Sequence, residues 1–354
     1  AIVGPSLGQK SVNNGLMSFL IALAVILVYM IFYYAKAGFA ADVALIANIF
    51  FVVGVLASIG ATLTLPGIAG IVLTIGMSVD ANVLIYERIR EEIAQGKGQN
   101  LAIVDGYNNA YSSIIDANIT TFLTGVILWV FGSGPIQGFA TTLMIGIGTS
   151  LFSAIFITRL IFEYMLDKKG EISFSTSITE GAFKNVNFTF VTKRKIFYAI
   201  SSLVVIGGIA SLATRGFDLG VDFTGGRTYL VEFEQDVDNA EIKKNLGAEF
   251  GTKPEVKTFG SNQQVKITTK YLIDEEGDGV EDKVESALTA GLNKYSVNYK
   301  IQSSQKVGPT IADDLFMSAM WSVLFSLLVI FLYIVLRFRK ASYGFGALVA
   351  MAHD

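Results

Sequence analysis

Asp80 stands inside an apolar run, PGIAGIVLTIGMSVDANVLIY, that extends from Pro66 to Tyr86. A carboxylate near the centre of a membrane helix costs roughly 2.5 to 3.5 kcal/mol on insertion scales, so such groups face polar interiors and mark ion or proton paths. At 1.5 Å per residue, Asp80 lies roughly 21 Å along a helix starting at Pro66, nearer the cytoplasmic end of the span. Gly76, Met77, Val83 and Leu84 share its face. The small Gly76 leaves room for a neighbouring helix. This setting suits uptake and release of a proton; the alternative role is a structural hydrogen bond between helices.

A second polar group falls at Asn118, Thr120, Thr121 and Thr124. Asn118, Thr121 and Thr124 follow one another at i,i+3 and form a candidate polar pathway beside Asp80. Hydroxyls in membrane helices also bond their own backbone or a neighbouring helix, so both readings stay open. His353, next to Asp354, is a candidate relay partner for a proton.

Other chemistry is excluded by composition. There is no Cys, which removes disulfides, thiol nucleophiles and Cys-based metal sites, and the single His removes histidine clusters. No nucleophile, base and orienting residue can be assembled, so an enzyme is not expected. The acidic run Asp274 to Asp282 lacks the spacing of a calcium-binding loop, and no metal or cofactor is expected. Nothing points to nucleic-acid binding. Glu87, Arg88, Arg90, Glu91 and Glu92 read as a solvated, salt-bridged helix end. Gly225-Gly226 reads as a turn into a strand rather than an anion nest.

The elements that position Asp80 follow from hydropathy. Mean hydropathy is +0.53 and only 16% of residues are charged, which indicates a polytopic α-helical membrane protein. Spans of bilayer length are expected at Leu16 to Ala35, Val43 to Leu63, Pro66 to Tyr86, Asn118 to Phe131, Phe139 to Met165, Ile196 to Thr214 and Leu315 to Leu336, with an eighth from Tyr343 to the end at Asp354. The fourth is short and is extended toward Ile114 or joined tightly to the fifth. Lys36, Arg88, Arg90, Lys97, Lys168, Lys169, Lys184, Lys193, Arg194, Lys195, Arg337, Arg339 and Lys340 fall in alternate connections, which are therefore cytoplasmic. The connections near Thr64 to Leu65 and Gly132 to Gln137 carry no basic residue and belong outside.

Alternation then puts the hydrophilic stretch 215–314 outside. Its strand and helix periods run in the order βαββαβ, a ferredoxin-like α+β extracytoplasmic domain. Acidic residues outnumber basic ones there. The chain also repeats itself. Val3-Gly4-Pro5 matches Val307-Gly308-Pro309, Tyr29 matches Tyr333, and each copy leads into a span. Duplicated halves are implied, with sites where the halves meet. Continuing the repeat brings Asp354 close to Asn48.

At this point the motifs carry a resemblance. Residues 70–92 (GIVLTIGMSVDANVLIYERIREE), 116–125 (DANITTFLTG) and 132–143 (GSGPIQGFATTL) resemble the membrane half of SecD. Residues 220–226 (GVDFTGG), 306–315 (KVGPTIADDL) and 347–354 (ALVAMAHD) resemble SecF, in the order of the fused SecDF family. The resemblance implies a SecD-like membrane half at 1–166 with five spans, a cytoplasmic connector at 167–195, a first SecF-like span at 196–214, the external domain at 215–314 and further SecF-like spans at 315–354. It also implies part of a longer protein, lacking a first membrane segment and a large outer domain before Ala1, and stopping before an Arg-containing motif of the second half.

By the same resemblance, the function is that of an accessory of the Sec translocase in the bacterial cytoplasmic membrane, promoting late preprotein export with the proton motive force. The implied partners are the SecYEG channel, SecA, YajC-like and YidC-like proteins, unfolded preprotein and the bilayer. The coupling groups fall on Asp80 and Asp354. The coupling ion is H+, with Na+ open because carboxylate, Asn and Thr oxygens also ligate it. A related proton-driven exporter of small molecules or lipids, or a scaffold that needs no intramembrane acid, are the rival classes.

Overall fold

The computed structural model describes residues 2–3, 5–61, 64–168, 170–181, 189–217, 219–275, 277 and 279–354. Lys169 and Lys184 of the expected connector and Glu276 and Asp278 of the acidic run lie outside them. The chain divides into two compact units. One is Ser211–Met320 together with the chain start up to Asn13; the other is Asn14–Ala210 with Trp321–Asp354.

The helical unit is built from α2 (Leu65–Ala94), α3 (Gln99–Phe131), α4 (Pro135–Phe152), a π-helical turn (Ser153–Ile157), α5 (Thr158–Asp167) and α11 (Ala341–His353), with α1 (Pro5–Ser58) from Asn14 on, α6 (Arg194–Arg215) up to Ala210 and α10 (Pro309–Phe338) from Trp321 on. Among the described residues, six helices are long and apolar enough to cross a membrane, the first being Asn13–Ser58 with 46 residues. The first expected span falls within that run and the second overlaps it as far as Ser58, its last two residues, 62–63, lying outside the described residues. Ala35, at φ 52° and ψ −121°, breaks it into two legs, 5–34 and 36–58. A Cβ on Gly38 would strike the Met30 carbonyl. In a continuous helix those residues would stand about 12 Å apart, so the chain doubles back at Ala35. The seven-residue connection expected at 36–42 is therefore helix.

The fourth span is also corrected. Helix α3 starts at Gln99, not near Ile114, because Ala102, Ile103, Gly106, Tyr107, Ala110 and Ile114 form a buried stripe. A Cβ on Gly106 would collide with Ile89 of α2, and one on Gly146 of α4 with Thr74 of α2. Small residues thus let α2, α3 and α4 pack closely. Tyr86 is the hub of this core, edge-on to Tyr34 at 5.3 Å and to Phe174 at 5.7 Å. The other faces, such as Leu203, Val204 and Ile206 of α6, expose apolar side chains.

The α/β unit holds α7 (Val221–Thr224), β2 (Gly226–Phe233), α8 (Asn239–Phe250), β3 (Glu255–Phe259), β4 (Ser261–Thr269), α9 (Val280–Asn293) and β5 (Tyr299–Val307). Its antiparallel sheet has the order β1-β5-β2-β4-β3. The edge strand β1 is Ile2–Val3, paired with Ser304 and Ser303. The domain boundary expected at residue 215 therefore omits a strand supplied by the chain start.

Alternate residues Tyr229, Val231 and Phe233 of β2 meet Ile242, Leu246 and Phe250 of α8 and Val284, Leu288 and Leu292 of α9. Periods of two and of four residues converge on one core. Asp238 caps α8 by accepting from the Ala240 amide at 2.8 Å. Both repeat copies run a strand into a helix that begins at proline, Pro5 and Pro309, where the missing N–H costs nothing. Gly225 (φ 69°) and Gly226 (φ 149°) make the turn from α7 into β2. A Cβ on Gly225 would lie 3.3 Å from Pro309.

Candidate functional site

Asp80 is positioned by two opposite faces of α2. Thr74, Ser78 and Asn82, one turn apart, are buried. Thr74 donates to the Ile71 carbonyl at 2.8 Å, and the Thr158 hydroxyl donates to Asn82 Oδ1 at 3.4 Å beside the π-turn. Two residues along a helix turn it by about 200°, so Asp80 lies away from that stripe. It sits on the exposed face with Leu73, Gly76 and Leu84. Among the described residues it forms no hydrogen bond or ion pair. The C-terminal continuation of α2 is salt-bridged: Glu87 accepts from Arg90 at 2.7 Å and from the Tyr34 hydroxyl at 3.0 Å. Lys97 bonds both Glu92 and Asp105 at 2.5 Å.

The Asn118 group bonds its own helix. Asn118 Nδ2 donates to the Ile114 carbonyl at 2.8 Å, Thr121 to Ala117 at 3.1 Å and Thr124 to Thr120 at 3.1 Å. The structure does not join these side chains to Asp80. His353 reaches two groups: its Nε2 meets the Ser201 hydroxyl on α6, and its Nδ1 meets Asp354 Oδ1 at 3.2 Å. The Asp354 side chain is 84% exposed. Asn48, its neighbour by the repeat, is instead buried with Oδ1 unpartnered.

Sequence reasoning missed an ionic contact. Asp116 of α3 accepts from the Tyr333 hydroxyl at 2.7 Å and from Arg337 Nε at 2.7 Å, both on α10. It joins the SecD-like and SecF-like parts of the helical unit, with Phe131 stacked on Phe325 at 4.9 Å. The signal was present, because Tyr333 and Arg337 stand at i,i+4 and share a face. It was overlooked because Arg337 sits at a span end, where a basic residue reads as an orientation mark. Among the described residues no cluster of acidic or His side chains is placed to hold a metal.

The geometry agrees with what the chain resembles. It matches the family described as protein export membrane protein SecD/SecF, C-terminal, over residues 1–168 and 287–354, and the SecD/SecF GG motif over 210–237. Protein translocase subunit SecD of Rhodothermus marinus is 62% identical over 172 residues, which cover 48% of this chain and 28% of that protein. Protein translocase subunit SecDF of Bacillus subtilis is 29% identical over 370 residues, 99% of this chain and 49% of that protein. A crystal structure of SecDF from Thermus, a translocon-associated membrane protein, superposes with a TM-score of 0.87 at 30% identity, covering 99% of this chain and 47% of the other. The chain thus spans about half the length, or less, of the relatives it matches. With the family match covering residues 1–168 and 287–354 and the GG motif falling on Gly225-Gly226, it belongs to the SecD/SecF family of protein export membrane proteins.

Proposed function

We propose that the chain is part of an accessory motor of the Sec protein translocase, in which Asp80 binds the ion that couples an electrochemical gradient to late preprotein export. The observation that carries this reading is a carboxylate without a partner among the described residues, on an outward apolar face of a helix that is long enough to span a bilayer. An ionisable group in that position is expensive unless it serves a path. Moving one elementary charge through 100 mV is worth about 2.3 kcal/mol, enough to bias a two-state element roughly fifty-fold.

H+ is the proposed ion, with Na+ as the competitor. The protein lies in the bacterial cytoplasmic membrane, with the ferredoxin-like βαββαβ fold of residues 215–314 outside, and works with the SecYEG channel and SecA, beside YajC-like and YidC-like proteins. It has no enzymatic step of its own. Asp354 and the His353 ring beside it form the corresponding candidate in the second half.

The test is export into membrane vesicles carrying the full protein with Asp80→Asn, read across pH and Na+ concentration. Gradient-stimulated export should disappear while the ATP-driven step of the channel persists. Normal export with unchanged ion conduction would show that Asp80 is structural. A dependence on Na+ rather than pH would replace the proton by sodium.

A further inference from the structure

Asp42 lies in the second leg of α1, seven residues beyond the break at Ala35, and only 5% of it is exposed. The residues around it on the leg are Ala37, Ala40, Ala41, Ala44 and Leu45, each at most 1% exposed, so the helix is closely packed on that side. Phe39, Val43, Ile46 and Phe50 make the opposite, exposed apolar face. Among the described residues, neither oxygen of the Asp42 carboxyl has a hydrogen-bond partner. Among them, the titratable group that faces it is the Tyr86 phenol on α2. That phenol is fully buried, and its hydroxyl also finds no partner among the described residues. Two ionic groups of the same unit are engaged elsewhere: Glu87 is held by Tyr34 and Arg90, and Lys36 donates to the Glu171 carbonyl.

A carboxyl taken out of water has three ways to avoid an uncompensated charge. It can pair with a cation, ligate a metal, or keep its proton. No Lys, Arg or His forms an ion pair with Asp42 among the described residues. No group of acidic or His residues stands there to hold a metal. The third outcome remains, and it matches the surroundings, because a neutral acid tolerates a dry alanine-lined contact that a carboxylate does not.

We propose that Asp42 is a proton-binding site in its own right, occupied as the neutral acid when the second leg of α1 is packed on the rest of the helical unit. Releasing that proton requires water or a cation to reach the carboxyl, so the leg must move away from its packed neighbours first. The one-residue break at Ala35 is the place where the leg can swing without unwinding either helix. Protonation of Asp42 and packing of this leg are then one coupled equilibrium, whatever role Asp80 plays.

The experiment is infrared difference spectroscopy on the full protein in lipid vesicles at neutral pH, comparing the parent with Asp42→Asn and with Asp80→Asn. The parent minus Asp42→Asn spectrum should contain the C=O stretch of a protonated carboxyl, and that band should persist in Asp80→Asn. A pair of carboxylate bands in its place would overturn the proposal, as would a band lost with Asp80→Asn and kept with Asp42→Asn. Carboxylate bands that shift on adding Na+ would overturn it in favour of a cation site. If Asp42→Asn does not accumulate, Asp80→Asn carrying isotope-labelled aspartate should still show the protonated band, shifted by the label, and its absence counts against the assignment equally.

Discussion

Among the described Asp, Glu, Lys, Arg and His residues, Arg227 is the most buried of the α/β unit and Asp42 of the helical unit, and the protein treats them in opposite ways. In the α/β unit, Arg227 is 1% exposed and every arm of its guanidinium is used: Nε and one terminal nitrogen grip Glu281 at 3.2 and 2.9 Å, and the other bonds the Tyr271 carbonyl at 2.8 Å. Lys306 adds a contact to the same Glu281 oxygen at 2.6 Å. In the helical unit Asp42 is buried without a hydrogen-bond or ionic partner among the described residues. The difference is one of purpose. A guanidinium stays charged at any relevant pH and must be satisfied once, whereas a carboxyl can discard its charge by taking a proton. The α/β unit holds a fixed ion pair that ties β2 to α9, and the helical unit holds a group whose charge state can change.

The largest effect should come from removing the partner of the buried cation. Glu281→Ala strands Arg227 in the core and should destabilise the α/β unit by about 3 kcal/mol, at the low end for such groups because Glu281 is itself 57% exposed. Denaturant titration of the protein followed by loss of strand signal measures it. An unchanged midpoint would mean that Arg227 finds water and that the two units do not differ in how they treat a buried charge.

Acid should reach the same contact by a gentler route. Arg227, and after it Lys306, hold the Glu281 carboxyl at about 2 instead of its ordinary 4.5. A carboxyl lowered in the folded state stabilises it above its unfolded value, and that contribution is lost as pH falls through the folded one. The α/β unit should therefore lose stability between about pH 4.5 and 2. In Glu281→Gln this part of the pH dependence should be absent, as thermal unfolding across the window would reveal.

The contact between α3 and α10 should matter less. Asp116→Asn keeps a hydrogen-bond acceptor for Tyr333 and loses the ionic part with Arg337 (both partners partly exposed). A small fall in thermal midpoint that vanishes at high salt is expected. Arg337→Gln should give the same fall, and the double variant no more than either alone. Additive losses would show that the two residues act separately.

The smallest effect should be that of Asp42→Asn. Asparagine has the shape of the neutral acid, so stability in detergent should stay within about 0.5 kcal/mol of the parent, less than the typical cost of a point substitution. Glu281→Ala and Asp42→Asn thus pull the comparison apart: one removes the partner of a charge that cannot be discarded, and the other removes a charge that is not there.

The sequence by itself determined where long apolar helices run and where the α/β segment begins to alternate, because hydropathy and period are sums over neighbouring residues. It also picked out Asp80, whose oddity is local. The converging stripes of β2, α8 and α9 were legible for the same reason. Asp42 was not, since at the head of an apolar run an acidic residue reads as a loop residue, and only the break at Ala35 turns residues 36–42 into packed helix. The early start of α3 was hidden by polar residues such as Asn108 and Asn109 interleaved with its buried stripe. The Asp116, Tyr333 and Arg337 contact joins residues more than two hundred positions apart. Tertiary structure alone decided these points, because which charge is buried and which partner it meets depends on how closely helices approach, and that distance is set by glycines and alanines on other elements.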